Sequence, residues 1–207
     1  MAYYPIFLEI EGRCCVVVGG GAVAERKVAG LLQAGASVTV ISPAVSEQLH
    51  SWVNAGKICH EARPYQSGDL ARFQLAFVAT DDPAVNAAVK REGEEGGVWV
   101  NVADDPQRCD FILPSVLRRG GLVVAVSTGG SSPALSKAIR EELELYFTED
   151  YAALSRIVAE VRGELRKRGL SAVPEAWGKA LNGGLRKLIR QGEIERAKRY
   201  LREQVGV

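Results

Sequence analysis

A parallel α/β domain followed by a helical appendage is the fold class this sequence predicts, on three observations. Unbroken apolar runs of strand length alternate with amphipathic stretches through the first half of the chain. A glycine-rich turn joins the first of these runs to the first amphipathic stretch. Beyond Ser127 the strand signal stops, and only helical spacing continues, in a segment of opposite charge.

The elements follow in order. Cys14-Cys15-Val16-Val17-Val18, bounded by Gly12 and Gly19, has no polar alternation, as expected of a strand covered on both faces. Gly19-Gly20-Gly21-Ala22-Val23-Ala24 then opens a helix that carries Val23, Val28, Leu31 and Leu32 at helical spacing and stops at Gly35. Ser37–Ile41 reads as the second strand, closing a βαβ unit of roughly 30 residues. A short strand is expected near 58–62, a stronger one at Leu75–Ala79, a helix over Pro83–Glu92 and a strand at Val98–Val102. Phe111–Leu113 and Leu122–Val126 are two further apolar runs, separated by a charged turn at Arg118-Arg119-Gly120-Gly121. Ser132-Pro133 places a capping hydroxyl before a proline at the first helical position, and Leu135, Ile139, Leu143 and Phe147 then run down one face. The remainder is helical, with Leu154, Ile157, Val158, Val161 and Leu165, then Leu181, Leu185, Leu188 and Ile189.

With 47% hydrophobic and 25% charged residues in 207, the composition is that of a globular chain and excludes disorder and fibres. Net charge is +1, which supplies no global field for nucleic acid or a membrane surface. The sum conceals an asymmetry: residues 1–150 hold 13 basic and 19 acidic side chains, and residues 151–207 hold 13 and 6. The four cysteines, Cys14, Cys15, Cys59 and Cys109, form no C-x-x-C pair, so neither a disulfide framework nor a zinc site is indicated, and they are expected to be reduced and mostly buried. The start carries charges too early for a signal peptide, and no run of about 18 apolar residues could span a bilayer, so a cytoplasmic protein is expected.

Gly19-x-Gly21-x-x-Ala24 matches the dinucleotide fingerprint of the Rossmann-type sheet. Gly19 would make the tight turn, Gly21 admit the pyrophosphate, Ala24 let helix pack on strand, and the helix N-terminus supply amides and partial positive charge. The acidic residue expected about 20 positions on is replaced by Ser42-Pro43-Ala44, so Ser42 or the backbone of Pro43 and Ala44 would meet the ribose. No Arg or Lys lies between Lys27 and Lys57, which favours NAD over NADP. Ligands of open α/β sheets sit beyond the carboxyl ends of the strands, where Thr80, Asp81 and Asp82, then Asn101, Asp104 and Asp105, stand. Asp82 and Asp105 precede prolines and read as caps; Asp104 does not, and is the carboxylate available to move a proton. His50 and His60 lie in polar segments without partners and read as structural. The loop at Ser131 and Ser132 fits either plain capping or an anion.

Pro5-Ile6-Phe7 ahead of Gly12-Arg13, the run Val17 to Lys27, Ala79-Thr80-Asp81-Asp82, Asn101-Val102-Ala103-Asp104-Asp105-Pro106 and Ser127 to Pro133 together resemble the precorrin-2 dehydrogenase family, the dehydrogenase and chelatase portion of sirohaem synthase. The resemblance implies oxidation of precorrin-2 to sirohydrochlorin with NAD, in some members with insertion of ferrous iron as well, by a homodimer. It implies that Asp104 is the residue critical for activity and that Ala22, Val23, Pro43 and Ala44 contact the cofactor. With no methyltransferase half beyond residue 207, the chain is expected not to make precorrin-2 itself. The domains expected are an NAD-binding domain over 1–113, a dimerisation segment over 114–147 and a basic helical domain over 148–207. The apolar strands and the Leu135, Ile139, Leu143 stripe also exceed what a short helical bundle could cover, which independently argues for a homodimer. A tetrapyrrole rich in carboxylates calls for cations, and Arg108, Arg118, Arg119, Lys137 and Arg140, with the hydroxyls of Ser131 and Ser132, are the nominated partners. No dedicated metal cluster is expected. The alternative is a non-catalytic NAD-sensing module, though such modules usually carry the acidic ribose residue absent here. Nucleic-acid binding through the basic tail is disfavoured by its few aromatics, Tyr151, Trp177 and Tyr200, and by the absence of a recognised motif.

Overall fold

The computed structural model describes residues 3–206 and divides into two compact units, Met1–Leu113 and Pro114–Val207. The first is a parallel five-stranded sheet. In chain order its elements are β1 (Cys14–Val18), α1 (Ala22–Gln33), β2 (Ser37–Ile41), α2 (Glu47–Asn54), β3 (Cys59–Glu61), β4 (Leu75–Val78), α3 (Pro83–Gly96) and β5 (Trp99–Val102). Spatial order is β3-β2-β1-β4-β5, so the chain runs outward from β1 on one side and then returns to its other side. That reversal opens a crevice at the carboxyl ends of β1 and β4, the topological switch point where α/β sheets bind ligands.

Both sheet faces are covered, which is why β1 and β4 lack polar alternation. Cys15, Val17, Val38, Val40 and Phe77 pack with Ala24, Val28 and Leu31 of α1 and with Leu49 of α2. Val16, Val18, Ala76, Val78, Val100 and Val102 pack on the opposite face with Val89 of α3, Leu70 and Phe73. Helix α3 runs four residues past the expected Glu92, because Gly93 lets it lie against β5: a Cβ there would stand 2.3 Å from Val100 Cγ2.

Helix α2 was not expected from the sequence. Ser46 caps it by accepting from the Leu49 amide, and Leu49, with Trp52 and Val53 partly buried beside it, packs on the first core at helical spacing, a pattern only about one turn long. The strand expected from Phe111–Leu113 is instead irregular chain. Phe111 is drawn into the first core, edge-on to Phe77 at 5.5 Å, and its carbonyl accepts from Asn101 Nδ2. The strand begins later, as β6 (Ser115–Arg119), so Arg118 and Arg119 lie in a strand and the turn is confined to Gly120 and Gly121. Gly120, at φ +56°, sets the register that pairs Arg119 with Leu122. The expectation that the cysteines are mostly buried fails for two of four: Cys15 is buried and Cys109 half-buried, but Cys14 and Cys59 are exposed at strand starts.

The second unit comprises β6 and β7 (Leu122–Val126) as an antiparallel hairpin, then α4 (Pro133–Tyr146), α5 (Asp150–Lys167), α6 (Pro174–Ala180), α7 (Gly183–Arg190) and α8 (Ile194–Val205). Helix α4 starts as expected, with the Ser132 hydroxyl accepting from the Leu135 amide ahead of Pro133. Ile157, Val161 and Leu165 of α5 form a core with Leu185, Ile189, Ala197, Leu201 and Val205. Among the described residues no helix is long and apolar enough to cross a membrane.

Candidate active site

A cavity of about 680 Å³ opens at the switch point of the first unit, walled by Gly19, Gly20 and Gly21, by Ser42, Pro43 and Ala44, and by Thr80. Three separate strand ends thus bring together the sequence-nominated positions. Gly19 sits at φ +118° with a notional Cβ 2.2 Å from the Ala79 carbonyl oxygen, so only glycine can turn the chain there. A Cβ on Gly20 would lie 1.9 Å from the Ala44 carbonyl oxygen, whereas one on Gly21 would meet nothing within 4 Å. Gly20 therefore packs the turn against the loop after β2, and Gly21 leaves the helix entrance open.

That entrance has the chemistry of a phosphate site. Gly21 is the N-cap of α1 and offers no side chain to the first-turn amides, while Ser46, Asp82, Ser132 and Asn182 cap α2, α3, α4 and α7 with side-chain oxygens. Gly21 lines the cavity, and with no side chain capping the start of α1 the first-turn amides and the positive end of that helix suit an anion. Ala24 is buried against the sheet, as its packing role requires. Buried Ser42 donates to the Ala44 carbonyl at 2.7 Å, fixing the loop that exposes Pro43 and Ala44. Thr80 bonds Asn86 Oδ1 at 2.7 Å and accepts from the Asp82 amide. Asp82 accepts from the Ala84 and Val85 amides, so it caps α3 as expected. The cradle fits a dinucleotide.

Two features of this cavity were not foreseen. His60 Nε2 lies 2.9 Å from the Ser42 carbonyl, so the residue set aside as structural buttresses the loop after β2. Pro64 and Tyr65 form a further wall. Glu92 holds this segment, accepting from the Tyr65 phenol and from the Gly68 and Leu70 amides, and burial with that contact pushes the Tyr65 pKa up. The same segment brings Arg63 beside β3, where Asp69 binds its guanidinium at 2.8 Å through both nitrogens and Glu61 adds a third contact.

Asp104 lies just beyond β5. It is exposed, and among the described residues it is the only non-glycine residue with positive φ, +59°. Its carboxylate has no hydrogen-bond or ion-pair partner among the described residues, whereas Asp105 pairs with Arg108 at 3.3 Å and does not cap the short turn that follows, contrary to expectation. Beneath the turn, the Cys109 thiol meets the carbonyls of Val102 and Asp105 at 3.2 and 3.3 Å and the amide of Val102 at 3.2 Å.

Most of the cations nominated for a carboxylate-rich ligand already hold acids. Arg119 reaches Glu149 at 3.2 Å and the Phe147 carbonyl, Arg140 bonds Glu141 and Glu144, and Lys137 stands 3.8 Å from Glu141. Arg118 is exposed and forms no ion pair among the described residues. Ser131 donates to the Thr128 carbonyl at 2.7 Å, and Ser132 is the α4 cap, so both hydroxyls serve their own loop.

Comparison with known proteins places these features in context. Residues 6–115 match a family described as putative NAD(P)-binding, and residues 119–144 match one described as sirohaem biosynthesis protein, central. The chain is 43% identical over 199 residues to the siroheme synthase of Nitrosococcus oceani and 39% identical over 209 residues to that of Methylococcus capsulatus. Those alignments cover 95% and 98% of this chain but 42% and 43% of the relatives, so the chain spans about two fifths of their length. A solved structure titled SirC, precorrin-2 dehydrogenase, superposes with a TM-score of 0.79 at 31% identity, covering 95% of this chain and 99% of the other.

Proposed function

The chain belongs to the precorrin-2 dehydrogenase family, and from that premise we propose that it oxidises precorrin-2 to sirohydrochlorin with NAD, in the formation of sirohaem. Two observations carry the reading: an uncapped, glycine-built helix entrance faces a cavity at the switch point, and the loop after β5 presents, in a left-handed conformation, a carboxylate with no partner among the described residues. A purely NAD-sensing module has no use for the second feature.

NAD, when bound, accepts the hydride that leaves the tetrapyrrole. The chain does the rest. Gly19 and Gly21, with the amides of Ala22 and Val23, hold the pyrophosphate, Pro43 and Ala44 with buried Ser42 meet the ribose, and Thr80 borders the cavity. Asp104 takes the proton released as the hydride departs, so the ring loses two hydrogens and gains one double bond. Arg118, the nominated cation without a carboxylate, is the first candidate to bind the substrate's acid groups.

The relatives' name favours a second activity, insertion of ferrous iron into sirohydrochlorin, with iron as substrate. We also propose a homodimer. Among the described residues the strands β6 and β7 pair only with each other, and Val116, Leu135, Leu145 and Tyr146 of the second unit are exposed, a surface suited to a second copy of the chain. The cytoplasm, which keeps thiols such as exposed Cys14 and Cys59 reduced, is the compartment proposed. Anaerobic assays on separate samples test the two activities: precorrin-2 with NAD should yield NADH, and sirohydrochlorin with ferrous iron should yield sirohaem. Absence of NADH formation by folded, NAD-binding protein would refute the primary reading.

A further inference from the structure

Tyr65 is the one aromatic side chain among the described residues that wall the switch-point cavity, and none of those residues is a cation. Away from the helix entrance a ligand therefore meets a ring and no positive charge. Tyr65 is half-buried, packs against the core on the α3 face of the sheet, and donates its hydroxyl hydrogen to Glu92. Glu92 also accepts from the Gly68 and Leu70 amides at 3.0 and 2.7 Å, contacts that would brace the turn by themselves. Its third contact goes to the ring. Asp69 steadies the same segment, accepting from the Gln66 amide at 2.8 Å and from Arg63. Val85, Val89 and Glu92 lie on one stripe of α3, where Val85 borders the cavity, Val89 is buried and Glu92 meets the phenol. A part-exposed aromatic side chain tied at its tip keeps one tilt, so a ligand that lies on it has little ordering left to cost it affinity.

Sheet order tells which part of a dinucleotide meets this ring. The strands run β3-β2-β1-β4-β5, with Asp104 following β5 at one edge and Tyr65 four residues after β3 at the other. A pyrophosphate at Gly21, after β1, sends one half of the ligand toward β5 and the other toward β3. The nicotinamide must lie toward Asp104 if hydride and proton leave one substrate. The adenosine half then extends past Pro43, after β2, to Pro64 and Tyr65.

We propose that Tyr65 is the surface on which the adenine of NAD stacks, and that Glu92 is the residue that positions it. The inference rests on the reading of this cavity as a dinucleotide site. Calorimetric titration of the wild-type protein, Tyr65→Leu and Tyr65→Phe with NAD, ADP and inorganic pyrophosphate tests it. Tyr65→Leu keeps an apolar side chain on the core and removes the ring. It should raise Kd for NAD and for ADP about tenfold or more and leave Kd for pyrophosphate, which has no base, within about twofold. Tyr65→Phe keeps the ring and loses only its tie, so most of the affinity should return. Glu92→Gln should weaken ADP in the wild-type background and cost nothing further beside Tyr65→Leu, because the two residues act through one ring. Unchanged ADP affinity in Tyr65→Leu overturns the proposal, as does an equal loss for pyrophosphate, which would mean that the side chain only shapes the cavity. If Tyr65→Leu does not fold, nuclear Overhauser contacts between the adenine of bound ADP and the Tyr65 ring of the wild-type protein serve instead, and their absence overturns it. A wild-type protein that binds neither NAD nor ADP would remove the dinucleotide reading as well, whereas one that binds both, beside an unaffected Tyr65→Leu, overturns the inference alone.

Discussion

Adjacent glycines in this chain do different work, and the difference can be measured. The Cβ of Gly20→Ala would collide with the Ala44 backbone, which no rotamer change relieves, so this variant should lose about 1–3 kcal/mol of stability in urea denaturation. Gly21→Ala meets open space and should keep its Tm within a few degrees, yet weaken NAD about tenfold or more by placing a methyl where the pyrophosphate approaches. A Gly21→Ala protein that binds NAD normally would show that the dinucleotide does not approach there. The glycines were legible because backbone constraint writes itself into residue type. Tyr65 and His60 were not: each is an ordinary residue until the fold sets it against Glu92 or the Ser42 carbonyl.

At the level of elements, the end of β2 decides cofactor choice. Ser42-Pro43-Ala44 offers neither an acid to the ribose hydroxyls nor a cation to a 2′-phosphate, and Arg63, which β3 brings alongside, is held by Asp69 and Glu61. NAD should therefore bind at least tenfold more tightly than NADP, a difference of about 1.4 kcal/mol, in calorimetric titration. Equal affinities would mean that Arg63 leaves its carboxylates for the phosphate. Strands β1 and β4 were readable because burial on both faces forces uninterrupted apolar runs, and β2 and β5 because valine and isoleucine still dominate around Thr39 and Asn101. Helix α2 and strand β6 escaped for opposite reasons. The first shows its period in only three residues, Leu49, Trp52 and Val53, and the second has its apolar predecessor, Phe111, diverted into the core of the first unit.

For the molecule as a whole, each unit has its own core, and the exposed Leu135, Leu145 and Tyr146 of the second remain to be covered. Light scattering at micromolar concentration should give twice the 22.3 kDa chain mass, and a monomer would contradict the proposed homodimer. The central claim is that a dinucleotide site and the Asp104 carboxylate act together on one tetrapyrrole. Anaerobic turnover of precorrin-2 with NAD by the wild-type protein, Asp104→Asn and Asp105→Asn, with NAD affinity measured on the same samples, tests it most directly. NADH formation should fall on the order of a hundredfold in Asp104→Asn with NAD affinity unchanged, and only mildly in Asp105→Asn. Undiminished NADH formation by Asp104→Asn, or a loss that merely follows lost NAD binding, would contradict it.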